Sequence, residues 1–310
     1  MKTTLLLILG CALFVVLIPS QTHVRELITL ISSKLSWQFF LGVNVLILFQ
    51  LILRAMRFKY LLGLLFNRQI TFLRSFGLTS ASYFVALATP NKSGDMIRGV
   101  LSETNRLETA AISVNEYILD VLIVIFTPLS VFLIDYSLYQ KNIITGYILL
   151  CLILLSLTIL VAAVKWDPFL KKFLLCKKYR EKIIKIKEYV LKFYKNKLAL
   201  LTGVALTLLF YCIYFLAFYF VLKKFGANIT FLQTVVAASC GVFLGAVSFI
   251  PMGIGTRDAS SFAILILMGT APEIAASAVV VVRSLSLTLL LAGGLCYLFI
   301  IFNNRTRHNI

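Results

Sequence analysis

Eight ionisable residues lie in or beside apolar stretches of this chain, where a charge is costly and usually faces a partner or a water-filled cavity. They are Lys92, Asp95, Arg98, Glu116, Asp120, Arg257, Asp258 and Arg283. Four are cationic and four are anionic, so the set as a whole is neutral. Glu116 and Asp120 are four residues apart, which places both carboxylates on one face of a helix. Because two adjacent carboxylates repel each other, we expect cations beside them.

The four cations predict a substrate-binding site for an anion, such as the phosphate of a lipid headgroup. They are Lys92, Arg98, Arg257 and Arg283. The four carboxylates are predicted to pair with these cations, to carry a coupling proton, or to bind a headgroup amine. They are Asp95, Glu116, Asp120 and Asp258. For Asp95 and Asp258 a structural alternative stays open, in which they only stabilise the N-termini of two broken helices.

Two apolar stretches are interrupted by proline and glycine and then continue for only a short distance. The long arms are Thr71–Ala88 and Phe231–Ile250, and the short arms are Met96–Leu107 and Ala259–Met268. The residues predicted to shape the two tips are Pro90, Gly94, Pro251, Gly253 and Gly255. Because neither short arm reaches the ~20 residues that cross a membrane, each pattern predicts a re-entrant helical hairpin.

The two predicted hairpins are alike in sequence. Each begins with Ile-Thr-Phe-Leu, at Ile70–Leu73 and at Ile229–Leu232, and each reaches its proline about twenty residues later. The order of tip, Asp and following charged span is the same in both. Similar units in opposite orientations are typical of inverted-repeat transporters, whose substrate site lies between broken helices.

The elements that must position these residues are apolar helices. Apolar residues make up 60% of the 310 residues and charged residues 14%, which excludes an ordinary soluble domain. Full spans are predicted at Thr3–Pro19, Trp37–Leu53, Ala110–Ile134, Ile143–Val164, Leu198–Val221 and Ala276–Phe302. The first resembles a signal peptide, but no small-x-small cleavage site follows, so we expect a retained span. The predicted fold is an all-α polytopic integral membrane protein with six full transmembrane helices and two oppositely oriented re-entrant hairpins, in a single membrane domain over residues 1–310.

The net charge of +18 indicates how the chain is oriented in the membrane, and it does not indicate nucleic-acid binding. Two basic regions are predicted to be cytoplasmic by the positive-inside rule. The first is a loop after the second span with Arg54, Arg57, Lys59, Arg68 and Arg74. The second, residues 165–197, is an amphipathic segment that the anionic cytoplasmic leaflet attracts, with Ile183, Ile186, Val190 and Phe193 on one stripe. This arrangement predicts a plasma-membrane protein with both termini in the cytoplasm.

Metal and nucleotide chemistry find no sequence support. The six cysteines have no paired spacing, and the two histidines, His23 and His308, lie near segment ends. No P-loop and no dinucleotide-binding glycine motif is present. We therefore expect no metal, no cofactor and no enzymatic activity.

Five motifs in order carry a resemblance to a known family. They are Arg57-Phe58-Lys59-Tyr60-Leu61-Leu62 after an early span, Pro90, Gly94, Asp95 and Arg98 in the first hairpin, Glu116 and Asp120 in the next span, Pro251, Gly253, Gly255 and Asp258 in the second hairpin, and a late Arg283. From about Arg57 onward the chain resembles the flippase-like membrane domain of lysylphosphatidylglycerol synthases. The family typically has Glu where this chain has Asp95 and Asp258, Arg in place of Tyr117, and Gly in place of Met252.

The resemblance implies movement of a lipid between leaflets: an anionic or aminoacylated phospholipid, or a polyprenyl-phosphate-linked lipid. The sequence ends at Ile310 without the soluble aminoacyl-transferase domain of the synthases, so lysyl transfer by this polypeptide is not expected. Two alternatives stay open. One is an integral-membrane transferase acting on a lipid phosphate, with Asp95 or Glu116 as base, and the other is a membrane scaffold subunit of a separate synthase. A partner synthase or glycosyltransferase and a homo-oligomer are compatible with either.

Overall fold

The computed structural model of the protein describes residues 24–86, 89, 93–101, 105–134, 177–248 and 250–308. Within these ranges every regular element is helical. In chain order the helices are α1 (Val24–Lys34), α2 (Trp37–Phe66), α3 (Phe72–Ala86), α4 (Ile97–Leu101), α5 (Arg106–Ile134), α6 (Lys177–Lys195), α7 (Lys197–Phe225), α8 (Phe231–Val247), α9 (Thr256–Leu267) and α10 (Pro272–His308). Short 3₁₀ helices at Ser93–Met96 and Pro251–Gly253 precede α4 and α9.

The helices form two units with the same order of elements. In α2–α5 and again in α7–α10, a long helix is followed by a shorter arm, a 3₁₀ turn, a short helix and a second long helix. The first helices of the two units, α2 and α7, have 30 and 29 residues. The similarity inferred from Ile-Thr-Phe-Leu therefore extends over both halves of the described structure.

The two units run in opposite directions, as the contacts between α2 and α7 show. Near the start of α2, Phe39 lies 5.5 Å from the Lys224 ammonium at the end of α7. In the middle, Gln50 Nε2 donates to the Phe210 carbonyl at 3.0 Å. At the end of α2, the Leu64 carbonyl accepts from Asn196, the residue that precedes α7, at 3.3 Å. Early residues of one helix thus contact late residues of the other, and the helices are antiparallel.

Side-chain caps fix where several helices begin. The hydroxyl of Ser36 accepts from the Phe39 amide at the start of α2, and the side chain of Asn196 accepts from the Ala199 amide at the start of α7. Thr230 and Gln233 form a reciprocal capping box on α8. Since Thr230 lies in the repeated Ile-Thr-Phe-Leu, this motif is itself a helix-start signal.

In the second unit α8 and α9 form a tightly packed helical hairpin. Gly241 and Gly245, one turn apart on α8, face Arg257 and Ser261 of α9. A Cβ atom on Gly241 would collide with the Ser261 hydroxyl and lie 2.8 Å from the Arg257 carbonyl oxygen. The absence of side chains at these two positions is therefore what lets the arms come together.

Among the described residues, three helical stretches are long and apolar enough to cross a membrane: Trp37–Phe66, Arg106–Val131 within α5, and Lys197–Phe225. They correspond to three of the six predicted spans. The predicted spans Thr3–Pro19 and Ile143–Val164 lie outside the described residues. The predicted span Ala276–Phe302 falls within the continuous helix α10.

The prediction of a loop over Arg54–Arg74 is wrong for the first half of that range. Helix α2 continues to Phe66, so Arg54, Arg57 and Lys59 are helical, and Arg57 is only 2% exposed. The physical reason is that Arg57 is neutralised by carboxylates from a distant helix, which a count of charges along the sequence does not detect. The short arm predicted at Met96–Leu107 is also wrong, because α4 ends at Leu101 and α5 begins at Arg106.

The described part of the basic segment, from Lys177, forms helix α6, which lies against the end of α2. The predicted stripe Ile183, Ile186, Val190 and Phe193 is the less exposed side of α6, and Phe193 is fully buried. Lys192, predicted to lie off this stripe, donates to the Leu65 carbonyl at 2.5 Å. A cation at the C-terminus of α2 is favourable because the last carbonyls of a helix lack intrahelical partners.

Candidate functional site

Arg57 joins three helices through its guanidinium group. From α2, its Nε donates to Glu116 Oε1 at 3.1 Å, and its Nη1 donates to Asp120 Oδ1 at 2.8 Å. The same Nη1 contacts the Thr207 hydroxyl of α7 at 2.7 Å. The four-residue spacing of the carboxylates on α5 lets one planar guanidinium reach both.

Arg98, on the short helix α4, extends this arrangement. Its Nη1 donates to Glu116 Oε2 at 2.8 Å, and its Nη2 lies 2.7 Å from Asp95 Oδ1. Its Nε approaches the Ser82 hydroxyl at 3.3 Å, and that hydroxyl donates to Asp95 Oδ1 at 2.8 Å. Arg98 is only 3% exposed, so its donors are used within the protein.

These residues make a continuous series of alternating charges, which we call the ion chain. Its members are Asp120, Arg57, Glu116, Arg98 and Asp95. The expected cation beside Glu116 from the first hairpin is present as Arg98, whereas Asp120 pairs with Arg57. Removing one member of such a buried series leaves an uncompensated charge, which is strongly destabilising. The ion chain therefore fixes the first hairpin against α2 and α5.

A cavity of about 190 Å³ is lined by residues of both hairpins and of the long helices. Residues of both units line it: Asp95 comes from the first tip, and Met252 and Gly253 come from the second. The polar and aromatic side chains on its wall are Gln50, Arg54, Tyr83, Asp95, Phe210, Tyr211, Tyr214, Phe218, Arg257, Asp258, Ser261 and Arg283. A water molecule takes about 30 Å³ in the liquid, so the cavity can hold several waters or a small headgroup.

Two of the charged groups on the cavity wall hold the second tip together. Asp258 Oδ2 accepts from the Gly255 amide at 3.2 Å and lies 3.4 Å from Arg283 Nε. Arg283 Nη2 also donates to the Met252 carbonyl at 3.3 Å. Asp258 thus acts as the predicted helix N-terminal carboxylate, at the third position of α9. Arg283 is the cation that neutralises it.

The other two cavity arginines lie against aromatic rings. The Arg54 guanidinium carbon is 4.3 Å from the centre of the Phe210 ring and 5.3 Å from that of Tyr83. The Arg257 guanidinium carbon is 5.0 Å from the centre of the Tyr214 ring. Among the residues that the structure describes, neither arginine forms an ion pair with a carboxylate. Ring faces stabilise these cations without neutralising them.

The backbone of the second tip needs left-handed conformations. Gly253 has φ of 61° and Gly255 has φ of 83°, which glycine adopts without steric cost. Met252 has φ of 52°, a value that side chains disfavour. The backbone at this position therefore favours glycine, and Met252 is a strained residue of this chain.

The first tip depends on close backbone approach. A Cβ atom on Gly94 would lie 2.6 Å from the Ala86 amide nitrogen. Gly94 is therefore required where the first tip folds against the end of α3.

The predicted site residues fall into four groups. Gly94, Pro251 and Gly255 shape the tips and are not on the cavity wall. Asp95, Arg257, Asp258, Arg283 and Gly253 line the cavity. Arg98, Glu116 and Asp120 belong to the buried ion chain, with Asp95 as the member common to both. Pro90 and Lys92 lie outside the described residues. Within the described ranges, His, Cys, Asp and Glu side chains form no group that could hold a metal ion.

Sequence reasoning missed two functional candidates, Arg54 and Arg57. Both were assigned to a loop because they end an apolar run. Two signals were available: Arg57 begins the Arg-aromatic motif, and Arg54 precedes it by three residues, which places both near one face of a continued helix.

Comparisons with known proteins agree with the motifs. The sequence model of the family described as lysylphosphatidylglycerol synthase TM region matches residues 4–294. No curated protein and no solved structure matches the chain. Because the family match covers most of the 310 residues, and confirms the resemblance carried by the five motifs, this chain belongs to the lysylphosphatidylglycerol synthase TM region family.

Proposed function

We propose that this chain is a transporter that moves an anionic or aminoacylated phospholipid, or a polyprenyl-phosphate-linked lipid, between the leaflets of the plasma membrane. The observation that carries the proposal is the cavity that residues of both hairpins line. It receives Asp95 from one unit and Arg257 from the other. A polar site between two antiparallel units is the arrangement expected of an inverted-repeat transporter.

The cavity supports transport over a scaffold role. A subunit that only holds a synthase needs no space between its hairpin tips, and tightly packed tips would serve it better. In the proposed mechanism the headgroup enters the polar cavity while the hydrocarbon chains stay in the bilayer. Apolar side chains on the wall, including Ile47, Val242 and Val279, suit contact with the upper part of those chains.

We infer that the two hairpins are re-entrant, and that six other helices span the membrane. At 1.5 Å per residue, the 17-residue α8 is about 25 Å long and the 12-residue α9 about 18 Å. Both are shorter than the ~30 Å hydrocarbon core, and the arms of the first hairpin are shorter still. With basic regions inside, this arrangement places both termini in the cytoplasm. Single cysteines replacing Asn228 and Ala271, which are exposed and flank the second hairpin, should then react with an impermeant reagent from the same side in a cysteine-free background.

The ion chain has a positioning role in this proposal. Arg98, predicted to bind substrate, is instead assigned to hold Asp95 and Glu116, because its donors are directed to these carboxylates. The alternative transferase would use Asp95 or Glu116 as base, yet both already accept from arginines. Proton coupling through Glu116 or Asp120 stays a prediction.

Transport of a fluorescent anionic phospholipid in proteoliposomes tests the proposal. Arg257→Ala removes a charged cavity group, and a lost charge-assisted hydrogen bond corresponds to about a tenfold slower rate or more. Arg25→Ala is the matched control, since Arg25 is exposed on α1. If empty liposomes and wild-type proteoliposomes move the lipid equally fast, the chain is not a transporter of that lipid. If Arg257→Ala equals wild type, the cavity is not the site.

A further inference from the structure

We propose that Arg54 and Arg257 clasp one phosphate ester between the two units, and that the cavity therefore selects a lipid headgroup of net negative charge over an aminoacylated, cationic one. This inference rests on the proposed function and narrows its substrate class. Arg54 is the new member of the site.

The carboxylates of the cavity are already engaged by protein groups. Asp95 is 2.7 Å from Arg98 Nη2, and Asp258 is held by the Gly255 amide and by Arg283. A headgroup ammonium would have to displace a guanidinium from one of them. The two carboxylates on the cavity wall are thus already neutralised by arginines of the protein.

The two remaining cations retain the donors that a phosphate needs. A guanidinium carries five N–H groups along its edge, whereas an aromatic ring contacts its face. Arg54 is therefore oriented by the Phe210 ring while its edge donors stay available. Arg257 lies over the Tyr214 ring and also hydrogen-bonds the Tyr214 side chain, which uses part of its edge and leaves its other N–H groups for a phosphate. Bidentate pairing with phosphate oxygens is the interaction for which arginine is best suited.

The two arginines belong to different units, which links binding to transport. Arg54 is on α2 of the first unit, and Arg257 is on α9 of the second unit, within the hairpin. A phosphate held by both would bridge the units. Gln50, one turn before Arg54, is fixed by its bond to the Phe210 carbonyl, and its own carbonyl can accept from a headgroup hydroxyl.

The net charge of the occupant follows from these contacts. A phosphatidylglycerol phosphate carries one negative charge and complements the two arginines. A lysyl ester of the same lipid adds two ammonium groups, so its headgroup is net positive and is repelled by Arg54 and Arg257. The cavity therefore favours the unmodified anionic headgroup or a prenyl phosphate.

Equilibrium binding to the full chain in neutral detergent tests this inference apart from transport. The probes are dihexanoyl phosphatidylglycerol, its lysyl ester and inorganic phosphate. We expect wild type to bind the anionic lipid at least tenfold more tightly than the lysyl ester. We expect Arg54→Gln and Arg257→Gln each to weaken anionic binding tenfold or more, and Arg25→Gln to leave it unchanged. Arg54→Lys keeps the positive charge but lacks the bidentate donors of a guanidinium group. It should therefore recover part of the affinity that Arg54→Gln loses.

Several outcomes overturn the inference. The lysyl ester binding as tightly as the anionic lipid contradicts the charge selection. Arg54→Gln binding like wild type while remaining folded by thermal unfolding removes Arg54 from the site. Inorganic phosphate binding as tightly as the lipid shows a free-phosphate site and not a headgroup site. Anionic binding that depends on both arginines supports the clasp even where proteoliposomes show no transport, a result that would refute only the proposed function.

Discussion

Arg54 and Arg57 lie one turn apart on the same helix and have opposite surroundings. Arg57 is 2% exposed and donates to Glu116, Asp120 and Thr207. Arg54 lies at the cavity wall against the rings of Phe210 and Tyr83. Both guanidinium groups lie near the Phe210 ring, but only that of Arg57 is bound by two buried carboxylates. An arginine neutralised in this way maintains structure, whereas one held by ring faces at a cavity has donors left for a ligand. Burial and partners, more than residue type, separate the two roles.

The largest effect is expected for Arg57→Met, which removes the cation that pairs with the buried Asp120 and leaves Glu116 with Arg98 alone. Breaking a buried pair in this way costs about 3–5 kcal/mol. Thermal unfolding of the purified protein in detergent should show a large drop in Tm, with much less folded protein recovered. An unchanged Tm would mean that the ion chain contributes nothing to stability. The structural role assigned to Arg57 would then be wrong.

The next largest loss of stability is expected when the packing of the second hairpin is disturbed. Gly241→Ala forces α8 away from Ser261 and Arg257, and overpacking of this kind costs about 1–3 kcal/mol. It also shifts the backbone that carries Arg257 without changing any charge. Gly42→Ala, in helix α2, is the matched control, because nothing lies within 4 Å of the Cβ atom that it adds. Equal Tm changes in the two variants would contradict the close approach of the arms.

Substitution of Met252 by glycine should change the stability by a smaller amount and in the opposite direction. Met252→Gly removes the steric cost of φ at 52° and keeps the carbonyl that Arg283 contacts, so a gain of up to about 1 kcal/mol is expected. The neighbouring Ile254, whose φ is −57°, is the control, and Ile254→Gly should destabilise. A loss of stability in Met252→Gly would show that its side chain contributes more by packing than its backbone costs.

The smallest change in stability is expected for Arg54→Gln. Loss of the ring contacts is offset by reduced repulsion from neighbouring cations, so the free energy of unfolding should change by about 1 kcal/mol or less. Transport should nevertheless fall tenfold or more, the reverse of the pattern for a purely structural residue. A Tm drop as large as that of Arg57→Met would place Arg54 among the structural residues.

The sequence predicted the helical class, the family, three spans and the position of both breaks, because these depend on local features. Apolar run length, proline and glycine identify them directly. The partners of Arg57 come from residues 59 and 63 positions away, and no local pattern reveals them. Apolar counting therefore ended the second span at Leu53, and it assigned two interior arginines to a loop.

The same limit applies to the site. The four carboxylates and the cations Arg98, Arg257 and Arg283 were identified from the sequence. Arg54, Arg57 and the division into ion chain and cavity were not. Arg98 and Arg257 are equivalent as charges in apolar surroundings. Only the fold shows that Arg98 faces Glu116 and Asp95, whereas Arg257 lies over Tyr214 at the cavity.

The most direct measurement is an experimental structure of the protein in nanodiscs of anionic phospholipid. We predict density for a lipid phosphate between Arg54 and Arg257, with oxygens within about 3.2 Å of both guanidinium groups. The hydrocarbon chains should leave the cavity toward the bilayer. A cavity closed by protein side chains, with ordered lipid only on the outer surface, would contradict the account.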